Sequence, residues 1–332
     1  MCIALVSTAH PLYPLILIDN RDEFLTRPTS NADWWDPPNS HVLGAQDLLR
    51  EAHGTWMGMT KQGRIAVLTN FREEGQAPYR GARSRGCMVN SFLKVPPDSN
   101  ETTNDFIKRI VECDGEKGVG GFSLVCGKVG EPLAVISNRT PRVDDVVWIA
   151  KTKNETVGLS NAAFEEHSWP KILDGERLMK DAIRASVEQN ETEDQLIQRF
   201  LDVLSTDTLP KRKIGESWES YIMQLQESIF VPPIEGPGTL GKDADKIRAV
   251  RDSEPVKLVN GLHKRDKDFG LTGMYGTQMQ TIILVDHNGR ARYFERTLFD
   301  PNACPIEKGE GDCDFTFPIE GWKSTPLVVT KA

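Results

Sequence analysis

The chain opens with short apolar runs of strand length. Residues 2–9 and 14–20 are separated by a Pro-bearing turn and predict a hairpin of half-buried or fully buried strands. Residues 26–52 are polar and rich in Pro, Asn and Asp, and read as a long loop. Residues 54–59, the turn Lys61-Gln62-Gly63 and residues 65–71 predict a second hairpin. The apolar period then lengthens to that of a helix at Met88, Val89, Phe92 and Leu93, and again at Phe106, Ile107, Ile110 and Val111. Strand character returns at 121–126, 132–138 and 146–149. Ser168-Trp169-Pro170 predicts a helix start with a serine cap and an early proline. Thr192-Glu193-Asp194-Gln195 is a capping box, followed by Leu196, Ile197, Phe200, Leu201 and Leu204 on one face. A short helix is predicted to carry Trp218, Ile222, Leu225 and Ile229. Residues 231–276 read as a loop insertion, residues 281–285 and 291–294 as a closing hairpin turning at Asn288-Gly289, and residues 299–332 as an acidic tail.

Strands, helices, strands, helices and strands in that order predict sheets with helices packed outside them, in one domain spanning 1–332. Composition adds exclusions. A net charge of −8 argues against nucleic acid as a main partner. The six cysteines, at 2, 87, 113, 126, 304 and 313, form no CxxC, and the six histidines are scattered, so no metal site is read. No apolar run approaches the ~18 residues of a membrane span. The N-terminus lacks the basic region of a signal peptide and is too acidic for a transit peptide. The sequons at Asn100, Asn138, Asn154 and Asn190 are read as chance in an intracellular chain.

Candidate chemistry concentrates at the start. Removing Met1 would leave Cys2 with a thiol and a free α-amine, nucleophile and general base on one residue. Asp19-Asn20-Arg21-Asp22-Glu23 places charge at the end of the second predicted strand, beside Cys2, where an arginine could hold a thiolate. Asn70 and Asn161 are candidate oxyanion donors or substrate anchors, against the ordinary reading of an asparagine that caps a turn. Arg72, Arg80, Arg83 and Arg85 could bind phosphate or carboxylate, against a solvated basic loop. Trp34, Trp35 and Trp56 could line an apolar pocket or simply fill the core. Residues 236–241 match GxGxxG but follow no strand, and are set aside.

Taken in order, Met1-Cys2, Asn20-Arg21-Asp22-Glu23 with Arg27-Pro28, Gly54-Thr55-Trp56-Met57-Gly58, Thr69-Asn70-Phe71-Arg72-Glu73, Ser84-Arg85-Gly86, Gly158-Leu159-Ser160-Asn161 with Trp169-Pro170-Lys171, and Tyr275-Gly276-Thr277 resemble the NRDE-motif family of transport and Golgi organization proteins. The resemblance runs over residues 1–297; His53 stands where the family usually carries a second glycine. That family is in turn similar to N-terminal-nucleophile (Ntn) hydrolases of the penicillin V acylase and bile-salt hydrolase type. It implies an α+β fold, a four-layer αββα sandwich of two antiparallel sheets. It also implies Cys2 as nucleophile, Arg21 beside the thiol, Asn70 at an oxyanion hole and Asn161 orienting substrate. Those amidases space arginine and acid as R-x-x-D. Counting from Arg21 gives Phe24, so the acid falls to Asp22 or Glu23. Asn20, Glu23, Trp56, Arg72 and Arg85 are the expected ligand-binding residues.

The function so implied is a role in Golgi organization, protein secretion and lipid, acyl-CoA or haem trafficking, by binding a small apolar or acyl ligand. The expected compartment is the cytoplasm, with mitochondria or the Golgi as further sites. No cofactor is required, and haem or acyl-CoA enters as the ligand, with His53 the nominee for a haem axial ligand. The alternative is a cysteine amidohydrolase, Cys2-dependent and acting on linear amide (C–N) bonds. The sequence leaves the choice between carrier and enzyme open.

Overall fold

The computed structural model describes residues 1–70, 84–112, 119–164, 166, 168–237 and 273–322. Its strands are β1 (Ile3–Ser7), β2 (Leu15–Phe24), β3 (Asp33–Trp34), β4 (Val42–Gly44), β5 (Met57–Thr60), β6 (Arg64–Asn70), β7 (Phe122–Lys128), β8 (Leu133–Ser137), β9 (Val147–Ile149), β10 (Thr156–Leu159), β11 (Ile234–Glu235), β12 (Met274–Val285), β13 (Arg290–Thr297) and β14 (Asp312–Pro318). Its helices are α1 (Gly86–Leu93), α2 (Thr103–Glu112), α3 (Pro170–Glu188), α4 (Glu193–Leu204) and α5 (Trp218–Tyr221). One sheet runs β10-β1-β2-β12-β13-β14, with β11 added on β12; the other runs β3-β4-β5-β6-β7-β8-β9. The pairings are antiparallel throughout.

Strand alternation sorts the apolar residues into three cores. Val6, Leu17, Ile283 and Tyr293 of the first sheet meet Met57, Met59, Val67 and Val125 of the second. On the far side of the first sheet, Ile3, Leu5, Ile16, Ile18 and Ile282 pack on Met179 and Ile183 of α3 and on Ile197 and Phe200 of α4. On the far side of the second, Ala66, Leu68 and Leu124 pack on Met88, Val89 and Phe92 of α1 and on Phe106 and Ile107 of α2. The layers are therefore helix, sheet, sheet, helix, the αββα sandwich of an α+β protein. Because both faces are covered, Ile3–Val6 of β1 and Leu15–Ile18 of β2 read as unbroken apolar runs rather than as alternation.

Both N-terminal hairpins form as expected, and the Thr192–Gln195 capping box closes reciprocally at 3.4 and 2.8 Å. Several expectations are corrected. The stretch 26–52 carries β3 and β4 and buries Trp35, whose indole donates to the Gly44 carbonyl at 2.8 Å. The cap of α3 is Trp169 without a side-chain bond; Ser168 turns instead to Glu166. The ends of 231–276 are strands, Ile234 pairing Tyr275 in register, whereas 238–272 lie outside the described residues. The tail contains β14, which adds to β13 from Arg290↔Pro318 to Arg296↔Asp312. Its alternating Asp312, Cys313, Asp314, Phe315 pattern was masked by acidic residues that pair outward with Arg296 and Arg292.

His53 has φ +40°, the left-handed region that favours glycine. A glycine, which the resemblance leads one to expect here, would adopt this conformation freely, and a non-glycine residue gives up roughly 1–2 kcal/mol for it. Nearby, Gly54 and Gly86 cross backbone on backbone. A Cβ on Gly54 would lie 2.9 Å from the Gly86 Cα, and one on Gly86 would lie 2.8 Å from the Gly54 Cα. Two motifs separated by some thirty positions are thus one contact, which sets Arg85 at the start of α1.

Candidate functional site at the Cys2 end of the sheet

The sheet register assembles the site. Ala4 pairs with Asp19 on one side and with Leu159 on the other. Extending both ladders by two residues puts Asn161, Cys2 and Arg21 in one row across three adjacent strands. They share the parity of Ala4, Leu17 and Leu159, which face the second sheet. The row is anchored: Ser160 Oγ donates to the Cys2 carbonyl at 2.6 Å, and Thr69 Oγ1 of β6 donates to the Ser160 carbonyl at 2.8 Å, stitching the sheets together. Arg21 is buried, its guanidinium 4.2 Å from the Trp56 ring centroid and donating to Gln278 Oε1. Burial pulls the Arg21 guanidinium down from its ordinary value, opposed first by the charge of Glu23.

Cys2 is buried, with Sγ 3.8 Å from the Asp22 carbonyl. Burial, the dominant cause, pushes its thiol up to about 11, while the N-terminal ammonium acts in the opposite sense. Asp19 adds to the rise. It lies one row below, with its carboxyl raised well above the usual range first by burial and then by the charge of Asp22. That row continues through Thr281 to Glu295, whose carboxyl is raised to about 7 by burial although Ala32 N–H, Thr281 and Tyr293 hydrogen-bond to it.

Residues of opposite parity point to the helical layer. Here Met1 is seated rather than frayed. Its ammonium is 3.1 Å from Asp22 Oδ2, an ion pair without hydrogen-bond alignment, and donates to Tyr275 Oη at 2.5 Å. Its carbonyl accepts from Lys171 Nζ at 2.6 Å. Its side chain packs with Leu225, Val231 and Tyr275, flanked by Phe24, Trp169 and Trp218. Asp22 Oδ1 accepts from Thr277 Oγ1 at 2.7 Å, and Lys171 Nζ lies 3.9 Å from Asp22 Oδ2. Burial lowers both ammonium groups, Met1's and Lys171's, and Asp22 is the chief opposing charge on each.

The expected residues therefore divide. Cys2, Arg21, Asn161 and Trp56 converge between the sheets, and Arg85 is near enough for its charge to act on Cys2. Of the two candidate acids, Asp22 binds the N-terminus, while Glu23 accepts from its neighbour Phe24 N–H at 2.9 Å and lies 3.7 Å from Arg27. Asn20 is structural: its amide donates to the Leu204 and Ile229 carbonyls at 2.7 and 2.9 Å. Asn70 has the parity of Ala66 and Leu68, facing α1, and it is Thr69 that reaches inward. Trp34 packs edge-on to Phe317, at 4.9 Å between centroids. His53 is exposed on its loop. Arg72, Arg80 and Arg83 lie outside the described residues. Sequence reading named Asp19 only within its charged run, with no role of its own, and passed over Lys171, Tyr275, Thr277 and Gln278 as site members. Lys171, Tyr275 and Thr277 belong to the motifs quoted above, but lysine reads as a solvated residue until a buried carboxylate is seen beside it.

Among the described residues, three side-chain atoms on the inter-sheet side are buried without a hydrogen-bond partner: Trp56 Nε1, Asn161 Oδ1 and Asp19 Oδ2. Such atoms are uncommon in folded proteins and each calls for a physical reason. Among the described residues no group of three or more His, Cys, Asp or Glu side chains could hold a metal ion. No described helix is long and apolar enough to cross a membrane.

The family model described as Transport and Golgi organisation 2 matches residues 1–300. The chain is similar to a Mus musculus protein named Transport and Golgi organization 2 homolog, 31% identical over 297 residues, 87% of this chain and 88% of that one. A Homo sapiens homolog of the same protein is 29% identical over 294 residues, covering 87% of this chain and 88% of that one. Among solved structures, the chain is similar to a Caenorhabditis elegans N-acylethanolamine-hydrolyzing acid amidase ortholog, with a TM-score of 0.40 and 11% identity over 64% of this chain and 88% of that one. The chain belongs to the Transport and Golgi organisation 2 family.

Proposed function

We propose that this member of the Transport and Golgi organisation 2 family serves a Golgi- or transport-related process by binding a small acyl ligand that carries an amide, between its two sheets and beside Cys2. The observation that carries the reading is the pair of buried, unpartnered atoms around the Cys2–Arg21 row, Trp56 Nε1 and Asn161 Oδ1. One is a donor and the other an acceptor. A ligand amide answers both, its carbonyl accepting from the indole and its N–H donating to the asparagine oxygen. Of the ligands raised above, acyl-CoA carries amides and phosphates that suit Arg85, whereas haem offers no amide. On this reading the working compartment is the cytoplasm, at Golgi or mitochondrial surfaces, and effects on secretion follow from ligand delivery.

Native mass spectrometry of the protein from its own cells, with acyl-CoA and haem titrations alongside, tests it. The expected result is a bound or titrating acyl-CoA, weakened at least tenfold by Trp56→Phe and by Asn161→Ala. Absence of any bound or titrating small molecule overturns the reading.

A second reading, a cysteine amidohydrolase, is favoured by the Asn161–Cys2–Arg21 row. With Met1 present, the α-amine is ion-paired to Asp22 and the thiol stays protonated at neutral pH. With Met1 removed, the Cys2 α-amine takes the thiol proton and sulfur attacks the amide carbonyl. The leaving amine is expelled with a proton, and water then hydrolyses the thioester, regenerating the thiol. Intact mass decides whether Met1 is lost; Cys2→Ala should then abolish turnover, with Cys2→Ser leaving a trace.

A further inference from the structure

The Met1 residue occupies what amounts to a receptor on the helix-facing side of β1 and β2, opposite the acyl-ligand site. Every recognisable part of the residue is met by a matching group. The ammonium faces Asp22 Oδ2 at 3.1 Å and Tyr275 Oη at 2.5 Å. The carbonyl faces Lys171 Nζ at 2.6 Å. The unbranched thioether chain lies among Leu225, Val231 and Tyr275 under Trp218. Asp22 and Lys171 have fully buried side chains, so neither can exchange its partner for water.

We propose that, in molecules that have lost Met1, this slot is a binding site for a free α-amino acid with an unbranched apolar side chain. Loss of Met1 to a methionine aminopeptidase adds water across the Met1–Cys2 peptide bond. The products are free methionine, as carboxylate and ammonium, and a new ammonium on Cys2. The vacated slot keeps a buried carboxylate for the ligand ammonium, a buried lysine for its carboxylate, and an apolar channel for its side chain. Two features turn the site from an acyl group toward a free carboxylate. The new Cys2 ammonium stands where the peptide nitrogen was. Lys171 also lies in the first turn of the 19-residue α3, at the positive end of its dipole. A peptide is refused, because its second residue would run into Cys2. An acidic side chain is refused by the aromatic and aliphatic walls. Occupancy has a consequence for the neighbouring thiol: a ligand carboxylate paired with the Cys2 ammonium keeps that amine protonated and unable to take the thiol proton.

The test uses the full chain in two forms, Met1-bearing and beginning at Cys2, each verified by intact mass. L-Methionine, L-norleucine, D-methionine and L-glutamate are added at millimolar concentration, and melting temperature and the iodoacetamide alkylation rate of Cys2 are read. The first two amino acids should raise the melting temperature of the form beginning at Cys2 and slow its alkylation several-fold; the last two should do neither. The Met1-bearing form should not respond, its slot being filled. Lys171→Met should abolish the response, and Trp218→Ala, at the half-buried rim, should weaken it if the buried variant fails to fold. If the form beginning at Cys2 folds only with L-methionine present, the proposal is supported. A folded form beginning at Cys2 that ignores L-methionine, or an equal response from the Met1-bearing form, overturns it. The acyl-CoA titration reads the other face, so the two readings fail separately.

Discussion

Alternate residues at one end of β1 and β2 enter two contrasting environments. On the helix side, Met1, Asp22, Lys171, Tyr275 and Thr277 form a buried network in which each charge faces another, Asp22 Oδ2 being held by its two ammonium partners without a hydrogen bond. On the inter-sheet side, Arg21 is stacked and hydrogen-bonded, yet Trp56, Asn161 and Asp19 each leave a buried polar atom unmatched. The first region is closed on itself; the second is built to be completed. A satisfied polar network rigidifies, whereas unsatisfied atoms cost free energy that a ligand can return. The difference arises from two aspartates three positions apart, one paired and one not.

The largest effect should come from breaking the closed side. Asp22→Ala leaves two buried ammonium groups facing each other and should cost roughly 3–5 kcal/mol, read by urea unfolding. A loss no greater than that of a surface substitution would show that the network is not what holds the N-terminus. Next is the acid beneath the open side. Glu295 is raised from its ordinary 4.5 to about 7, so the folded protein holds a proton that the unfolded chain releases. Its contribution is fully present below about pH 4.5 and is lost as pH rises through about 7, a few kcal/mol in all. Glu295→Gln should remove that part of the slope from urea titrations between those pH values; an unchanged slope would assign it elsewhere.

A smaller effect concerns Cys2. With its thiol near 11 against an ordinary 9, its thiolate fraction at neutral pH should be about a hundredth of a free cysteine's. Alkylation rates should therefore climb through pH 9 without levelling. Asp19→Asn removes a charge that raises the thiol and should speed alkylation at high pH several-fold. The smallest expected change is in the stability of that same variant. Asp19 Oδ2 has no partner to lose, and burial already holds its carboxyl well above the usual range, so Asp19→Asn should cost the fold no stability at neutral pH. A loss comparable with that of Asp22→Ala would erase the contrast between the two faces.

Much of this arrangement was legible in the chain. Apolar runs located β1 and β2 and the capping box located α4, whereas the split of Arg21 and Asp22 onto opposite faces of β2 emerged only from the sheet register. The motif set marked Cys2, Arg21, Asn161 and Trp56, which the fold does bring together. Asn20 and Asn70 illustrate the limit. Both sit in motifs, yet Asn20 is consumed by two helix-layer carbonyls and Asn70 has the outward parity.

What the sequence by itself determined was local: which residues alternate, where helices begin, and which backbone positions need glycine. Those follow from side-chain period and backbone sterics within a few residues. Only the tertiary structure decided that β10 lies against β1 and places Asn161 beside Cys2. It alone decided that Lys171 is buried against Asp22, and that an acidic tail supplies β14. Such pairings join segments far apart along the chain. They depend on which covered face finds which partner, and periodicity carries the face but not the neighbour.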